Sequence, residues 1–133
     1  MNRLSLAPLT INEAGPLDLI AAAMVGGFDA IDLRVIGPPG GAPVAPVAGN
    51  PALVKEIRRH LADTGISVFS ATGIFITPDF TVTEIEPALA VVATLGGRWC
   101  LAAGWDTDRA RLAGNLALAC EAAARVSLAT AVD

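Results

Sequence analysis

A helix that stops on two glycines and passes directly into a short apolar strand occurs twice in this chain, and no other feature restricts its fold as strongly. The first copy is Ala21 to Arg34, Ala-Ala-Ala-Met-Val-Gly-Gly-Phe-Asp-Ala-Ile-Asp-Leu-Arg. The second is Ala90 to Gly104, Ala-Val-Val-Ala-Thr-Leu-Gly-Gly-Arg-Trp-Cys-Leu-Ala-Ala-Gly. Glycine tolerates the left-handed backbone that ends helices, so Gly26-Gly27 and Gly96-Gly97 each read as a helix stop. A helix feeding a strand in this way is half of a βαβ crossover. Gly26 and Gly96 lie 70 residues apart, or two units of roughly 35, which is the period of a (β/α) barrel.

The rest of the chain supplies the missing units. Arg3 to Leu9 suits a short buried strand, and Gly15-Pro16 introduces a helix in which Leu17, Ile20 and Met24 recur at helical spacing. Ala30 to Val35 is the second strand. Asn50 is a helix cap with Pro51 at the first helical position, and Leu53, Ile57 and Leu61 make one apolar face opposite Lys55, Arg58 and Arg59. Ile66 to Thr72, rich in β-branched and aromatic residues, is the third strand, with Gly73 to Val82 as the loop after it. Thr83 and Glu86 have capping-box spacing for the next helix, with Pro87 as the competing marker of its first turn. Trp99 to Ala103 is the fourth strand. A last helix starts near Asp108, with Leu112, Leu116, Ala119, Cys120 and Ala123 on its buried side, and Val126 to Val132 reads as a fifth strand. Strands alternating with helices, each strand apolar on both faces, predict an α/β fold with a parallel sheet. The whole of residues 1–133 reads as one domain of four to five strands and four helices, about half of a TIM barrel.

Composition excludes several functions. A net charge of −4 and a pI of 4.8 leave no basic footprint for nucleic acid or an anionic membrane. No apolar run reaches the roughly 18 residues of a membrane span, and the N-terminus makes a poor signal peptide, so a cytoplasmic location is expected. Cys100 and Cys120 lack CxxC spacing and read as buried free thiols. His60 lies between Arg59 and Leu61 on an amphipathic helix and reads as a helix-surface residue, not a metal ligand. No GxGxxG follows the first strand, so a dinucleotide site is not expected, although a Rossmann or flavodoxin-like sheet is the alternative architecture.

The run Gly27-Phe28-Asp29-Ala30-Ile31-Asp32-Leu33-Arg34 resembles the Gly-Phe-x-x-Ile-Glu-Leu-Arg pattern of the xylose isomerase-like TIM barrels, with Asp in place of Glu. Leu61-Ala62-Asp63-Thr64-Gly65-Ile66 and Leu95-Gly96-Gly97 are similar to the family's helix-to-strand passages. The resemblance covers Arg3 to about Arg125 and corresponds to the N-terminal half of these sugar phosphate isomerases and epimerases. It implies a small sugar or sugar phosphate as ligand. It also implies a divalent metal for the full-length family, held by carboxylates and histidines of later strands, beginning with a Glu after strand five. Val126 to Asp133 has no Glu, so no metal or other cofactor is expected in this chain, and the chain alone is expected to be inactive.

In a barrel the C-terminal strand ends carry the chemistry. That rule places Thr10, Asp32, Arg34, Thr72, Trp105 and Asp106 on one face. Asp32 and Arg34 read either as anchors for sugar hydroxyls or phosphate, or as an internal pairing with neighbours. Thr72 is a small hydrogen-bonding group, and Asp106 adds a carboxylate. Trp105 reads either as an apolar wall for a sugar ring or as a seal on the core. The loop Gly37 to Gly49, all Gly, Pro, Ala and Val, offers cover for such a site but no chemistry of its own. Four or five units cannot close a barrel, and charged residues are only 17% of the chain. Self-association that covers the open sheet edges is therefore expected. The alternative to an isomerase-type enzyme is a non-catalytic, oligomerising half-barrel.

Overall fold

A computed structural model describes residues 2–41, 44 and 46–133. Five strands, β1 (Ser5–Leu6), β2 (Ala30–Arg34), β3 (Ser67–Ile76), β4 (Trp99–Gly104) and β5 (Ala129–Val132), form one parallel sheet in sequence order. Four helices, α1 (Pro16–Gly26), α2 (Pro51–Thr64), α3 (Val82–Thr94) and α4 (Arg109–Arg125), connect them. The alternation anticipated from the two glycine stops is present in every unit. No described helix is long and apolar enough to cross a membrane.

The helix boundaries follow local chemistry. Pro16 opens α1, and Gly27, with φ of +74°, closes it by donating its N–H to Ala23 and Met24 carbonyls. The Asn50 side chain accepts from Leu53 N–H at 3.1 Å, with Pro51 at the first position of α2. Gly65, again left-handed, ends that helix. Asp108 caps α4 by accepting from Ala110 and Arg111 N–H groups at 3.0 Å.

Several boundaries differ from expectation, each for a local reason. β1 is only two residues long because Pro8 turns the chain into a short 3-10 helix, Pro8–Ile11. α3 begins at Val82, so Thr83 and Glu86 lie within its first turns and form no capping box, and Pro87 is accommodated inside the helix. β3 does not end at Thr72; a bulge between Ala71 and Ile74 carries the strand on to Ile76. β5 is confined to Ala129–Val132, because the turn after α4 occupies Val126 and Ser127, the latter with φ of +62°.

One core lies between sheet and helices. Ile31, Leu33, Val68, Ala71, Ile76, Cys100 and Ala102 from the strands pack with Leu19, Ile20, Ala23, Ile57, Leu89, Val92, Ala119 and Ala123 from the helices. Burial of roughly 25 cal/mol per Å² of apolar surface is what holds such a layer together. Met24, placed on the apolar face of α1 by spacing, is exposed, and Leu19 and Ala23 take that role. Cys100 is buried and its thiol is pushed up to about 11, mainly by burial and secondarily by Cys120, which is half-buried. Both cysteines are free. Strand residues alternate, so those between the core positions point to the opposite face, which no helix covers.

Of the loop between β2 and α2, Val47 is buried in the core and Gly40 and Gly49 have positive φ. Ala42, Pro43 and Ala45, at the centre of the expected cover, lie outside the described residues.

Candidate functional site

The uncovered sheet face holds a cavity of about 380 Å³ at the C-terminal ends of the strands. Asp32 and Arg34 reach it from β2, where Ile31 and Leu33 are the alternate, core-facing positions. Thr72 stands beside Arg34 in the β2–β3 register and also lines the cavity. Trp105 closes one side as the residue following β4. Four of the five predicted site residues are thus brought together.

Asp32 is half-buried and accepts a hydrogen bond from Ser70 Oγ at 2.8 Å, which fixes the carboxylate against the adjoining strand. Arg34 donates from Nη1 to Asn12 Oδ1 at 2.9 Å and forms no ion pair among the described residues. The internal pairing that the sequence left open for Asp32 and Arg34 is therefore with neutral partners, and both charges remain directed at the cavity. Trp105 packs edge-on against Phe75, with ring centroids 5.0 Å apart and planes at 69°. An aromatic pair of this geometry is stabilising by about 0.5–1.5 kcal/mol beyond its burial. Trp105 nonetheless stays 52% exposed, too open to be only a seal on the core.

Asp106 is the exception. Its side chain is fully buried and turned away from the cavity. Arg111 holds both oxygens, Nε to Oδ2 at 2.6 Å and Nη2 to Oδ1 at 2.8 Å, and Asp108 N–H adds a third bond at 2.9 Å. The Arg111 guanidinium keeps the carboxyl below its ordinary value of 3.8, against the opposing effect of burial. Asp106 therefore organises the entry into α4 and does not line the cavity. Thr10 sits exposed in the 3-10 helix and does not line the cavity.

Of the other residues that line it, three bear on its polarity and shape. Asn12 orients Arg34 from the loop after β1. Phe75, assigned by sequence to a loop, belongs to the extended part of β3. Asp133 follows β5, and its N–H donates to Ala102 carbonyl at 2.9 Å. The signal for Asp133 was positional: it follows β5 as Trp105 follows β4. His60 is remote from this site, its Nδ1 lying 2.9 Å from the Glu56 carbonyl of its own helix. Among the described residues no three His, Cys, Asp or Glu side chains converge as a metal site requires.

No protein-family model and no curated protein matches the chain. Solved structures do. A xylose isomerase domain protein from Alicyclobacillus acidocaldarius is similar with a TM-score of 0.71 at 12% identity, over 98% of this chain and 49% of that one. A 3-keto-D-glucoside 4-epimerase from E. coli gives 0.69 at 16% identity, over 99% and 56%. A sugar phosphate isomerase/epimerase from Parabacteroides distasonis gives 0.58 at 10% identity, over 98% and 50%. The chain has the fold of about half a xylose isomerase-like TIM barrel, and it spans about half the length of these three solved structures.

Proposed function

We propose that this chain builds the sugar-binding wall of an isomerase- or epimerase-type site. The observation that carries the reading is the gathering of Asp32, Arg34, Thr72 and Trp105 around one cavity at the C-terminal strand ends, where barrels of this kind place their chemistry. The likeness in fold to sugar isomerases and epimerases supports it.

The side chains divide the work by their chemistry. Trp105 and Phe75 present an apolar wall to the C–H face of a sugar ring. Arg34, held by Asn12, donates to a carbonyl or hydroxyl oxygen and stabilises negative charge that develops there when a neighbouring carbon loses a proton. Asp32, fixed by Ser70, accepts from a hydroxyl. Thr72 both donates and accepts. These groups bind and orient. Among the described residues Asp32 and Asp133 are the only carboxylates lining the cavity, and a divalent metal of the kind the family resemblance implies would need further ligands beside them.

Titration of the chain with small sugars, followed by isothermal calorimetry, tests the reading. Binding is expected, and Arg34→Ala or Trp105→Ala is expected to weaken it about tenfold or more, as loss of one charge-assisted hydrogen bond or one aromatic contact does. Binding that neither substitution alters would sink the proposal. A second reading, a non-catalytic half-barrel that associates through its uncovered face, is favoured by the exposure of Phe69 and Trp99.

A further inference from the structure

The charge around this cavity is lopsided in a way that selects among sugars. Among the described residues Arg34 is its one cationic lining residue, while Asp32 lies two residues away on the same strand face and Asp133 follows β5. The described lining thus sets one guanidinium against two carboxylates. A phosphate monoester brings nearly two more negative charges at neutral pH and wants several cationic donors or an open helix N-terminus.

The helix N-termini on this side of the sheet are already served by acids. α1 has Asp18 in its first turn and Glu13 just before it. α3 has Glu84 in its first turn. At α4, Asp106 and Asp108 accept the free backbone N–H groups. α4 also opens with cations, Arg109 and Arg111, but Arg111 is held by Asp106 and Asp108 and neither arginine lines the cavity. The N-terminus of α2, with Lys55 and Arg58 beside it, opens on a different cavity, and Asn50 caps it. Arg34 itself already gives one of its donors to Asn12.

Building on the proposed sugar-binding role, we infer that the cavity takes an uncharged sugar and discriminates against its phosphate ester. A neutral polyhydroxyl ligand matches all three charged groups, because each hydroxyl accepts from Arg34 and donates to Asp32 or Asp133. A phosphate at Arg34 meets two carboxylates instead.

The test is a titration of the full chain with paired ligands, D-fructose against D-fructose 6-phosphate and D-glucose against D-glucose 6-phosphate, read by the Trp105 indole resonance at fixed ionic strength. The free sugar of at least one pair is expected to bind at least tenfold more tightly than its ester. Asp133→Asn, an exposed position, is expected to narrow that ratio several-fold. Esters binding as tightly as the free sugars, or a ratio that Asp133→Asn does not move, overturns this inference and leaves the sugar-binding role standing. A resonance that no ligand shifts overturns both.

Discussion

Gly73 has φ of +91°, and a Cβ added to it would overlap the carbonyl oxygen of Ile36. Both facts arise from the bulge between Ala71 and Ile74, which lets β3 run past the end of β2 while Val35 N–H still reaches Thr72 carbonyl at 3.0 Å. The β2–β3 register sets Thr72 opposite Arg34, and the bulge that follows brings Phe75 to Trp105, so this glycine lies between two cavity residues. Gly73→Ala forces an L-residue into left-handed backbone and drives its methyl into a main-chain oxygen that has no freedom to withdraw. A loss of about 3 kcal/mol or more is expected, at the upper end of single-residue effects. Urea unfolding of the two proteins measures it. A loss under about 1 kcal/mol, the ordinary cost of changing a permissive glycine, would mean that the bulge is not rigid. Gly97 has an ordinary φ, but a Cβ there would press on Val92 Cγ1 and crowd the Val92 carbonyl oxygen, and a buried β-branched side chain has little room to yield.

The β4–α4 connection shows what a strand end can do besides line a site. Trp105 and Asp106 are adjacent, yet one faces the cavity and the other is sealed beneath the start of α4 by Arg111. With Asp108 capping the same helix, the Asp-Thr-Asp-Arg-Ala-Arg run is a clamp that sets where Trp105 stands. The folded carboxyl of Asp106 titrates below its ordinary 3.8, so its contribution to stability is complete above about pH 4 and is lost as pH falls through the lowered value. Asp106→Asn is expected to be less stable than the parent at pH 7 and to lack part of the parent's decline between pH 4 and 2. Chemical denaturation midpoints across that range check both. Equal acid slopes would show that the clamp owes nothing to ionisation. Residue spacing alone exposed the parts of this fold that depend on local chemistry: the stops at Gly27 and Gly65, the Asn50-Pro51 start, and the strand ending on Asp32 and Arg34. It could not expose what depends on distant partners. Asp106 looked like a site residue because it follows a strand, and only the position of Arg111 five residues on, across a turn, withdraws it. Phe75 looked like a loop residue because a bulge leaves no periodic mark. Asp133, at the end of the presumed fifth strand Val126 to Asp133, carried no site role in the sequence, although its N–H bond to the Ala102 carbonyl sets it beside the other strand ends.

On the scale of the whole molecule, the sheet has one face packed under helices and one left open. β1 and β5 pair on one side only. The open face and its rim carry Phe69 at 49% exposure, Trp99 at 40% and Trp105 at 52%, an aromatic concentration that isolated domains rarely leave in water. Each edge strand also holds a buried hydroxyl without a described partner, Ser5 Oγ and Thr130 Oγ1, at a cost of roughly 1–3 kcal/mol apiece if neither is satisfied. We propose that a second copy of the chain covers this face. An eight-stranded barrel has room for three strands beside these five, whereas a second copy brings five, so the pair does not rebuild that barrel strand for strand. Apposed open faces meet the same need, placing Phe69 and Trp99 of each copy against the other and leaving the Asp32–Arg34 cavity at the end of the joint. Light scattering at micromolar concentration is expected to give twice the chain mass. Replacing Phe69 and Trp99 together by Ser is expected to shift the dimer constant at least a hundredfold towards monomer, since two aromatic anchors at a buried centre each contribute about 2 kcal/mol or more. A parent chain that stays monomeric at 100 µM, or a double variant that dimerises as tightly as the parent, rules out this mode of association.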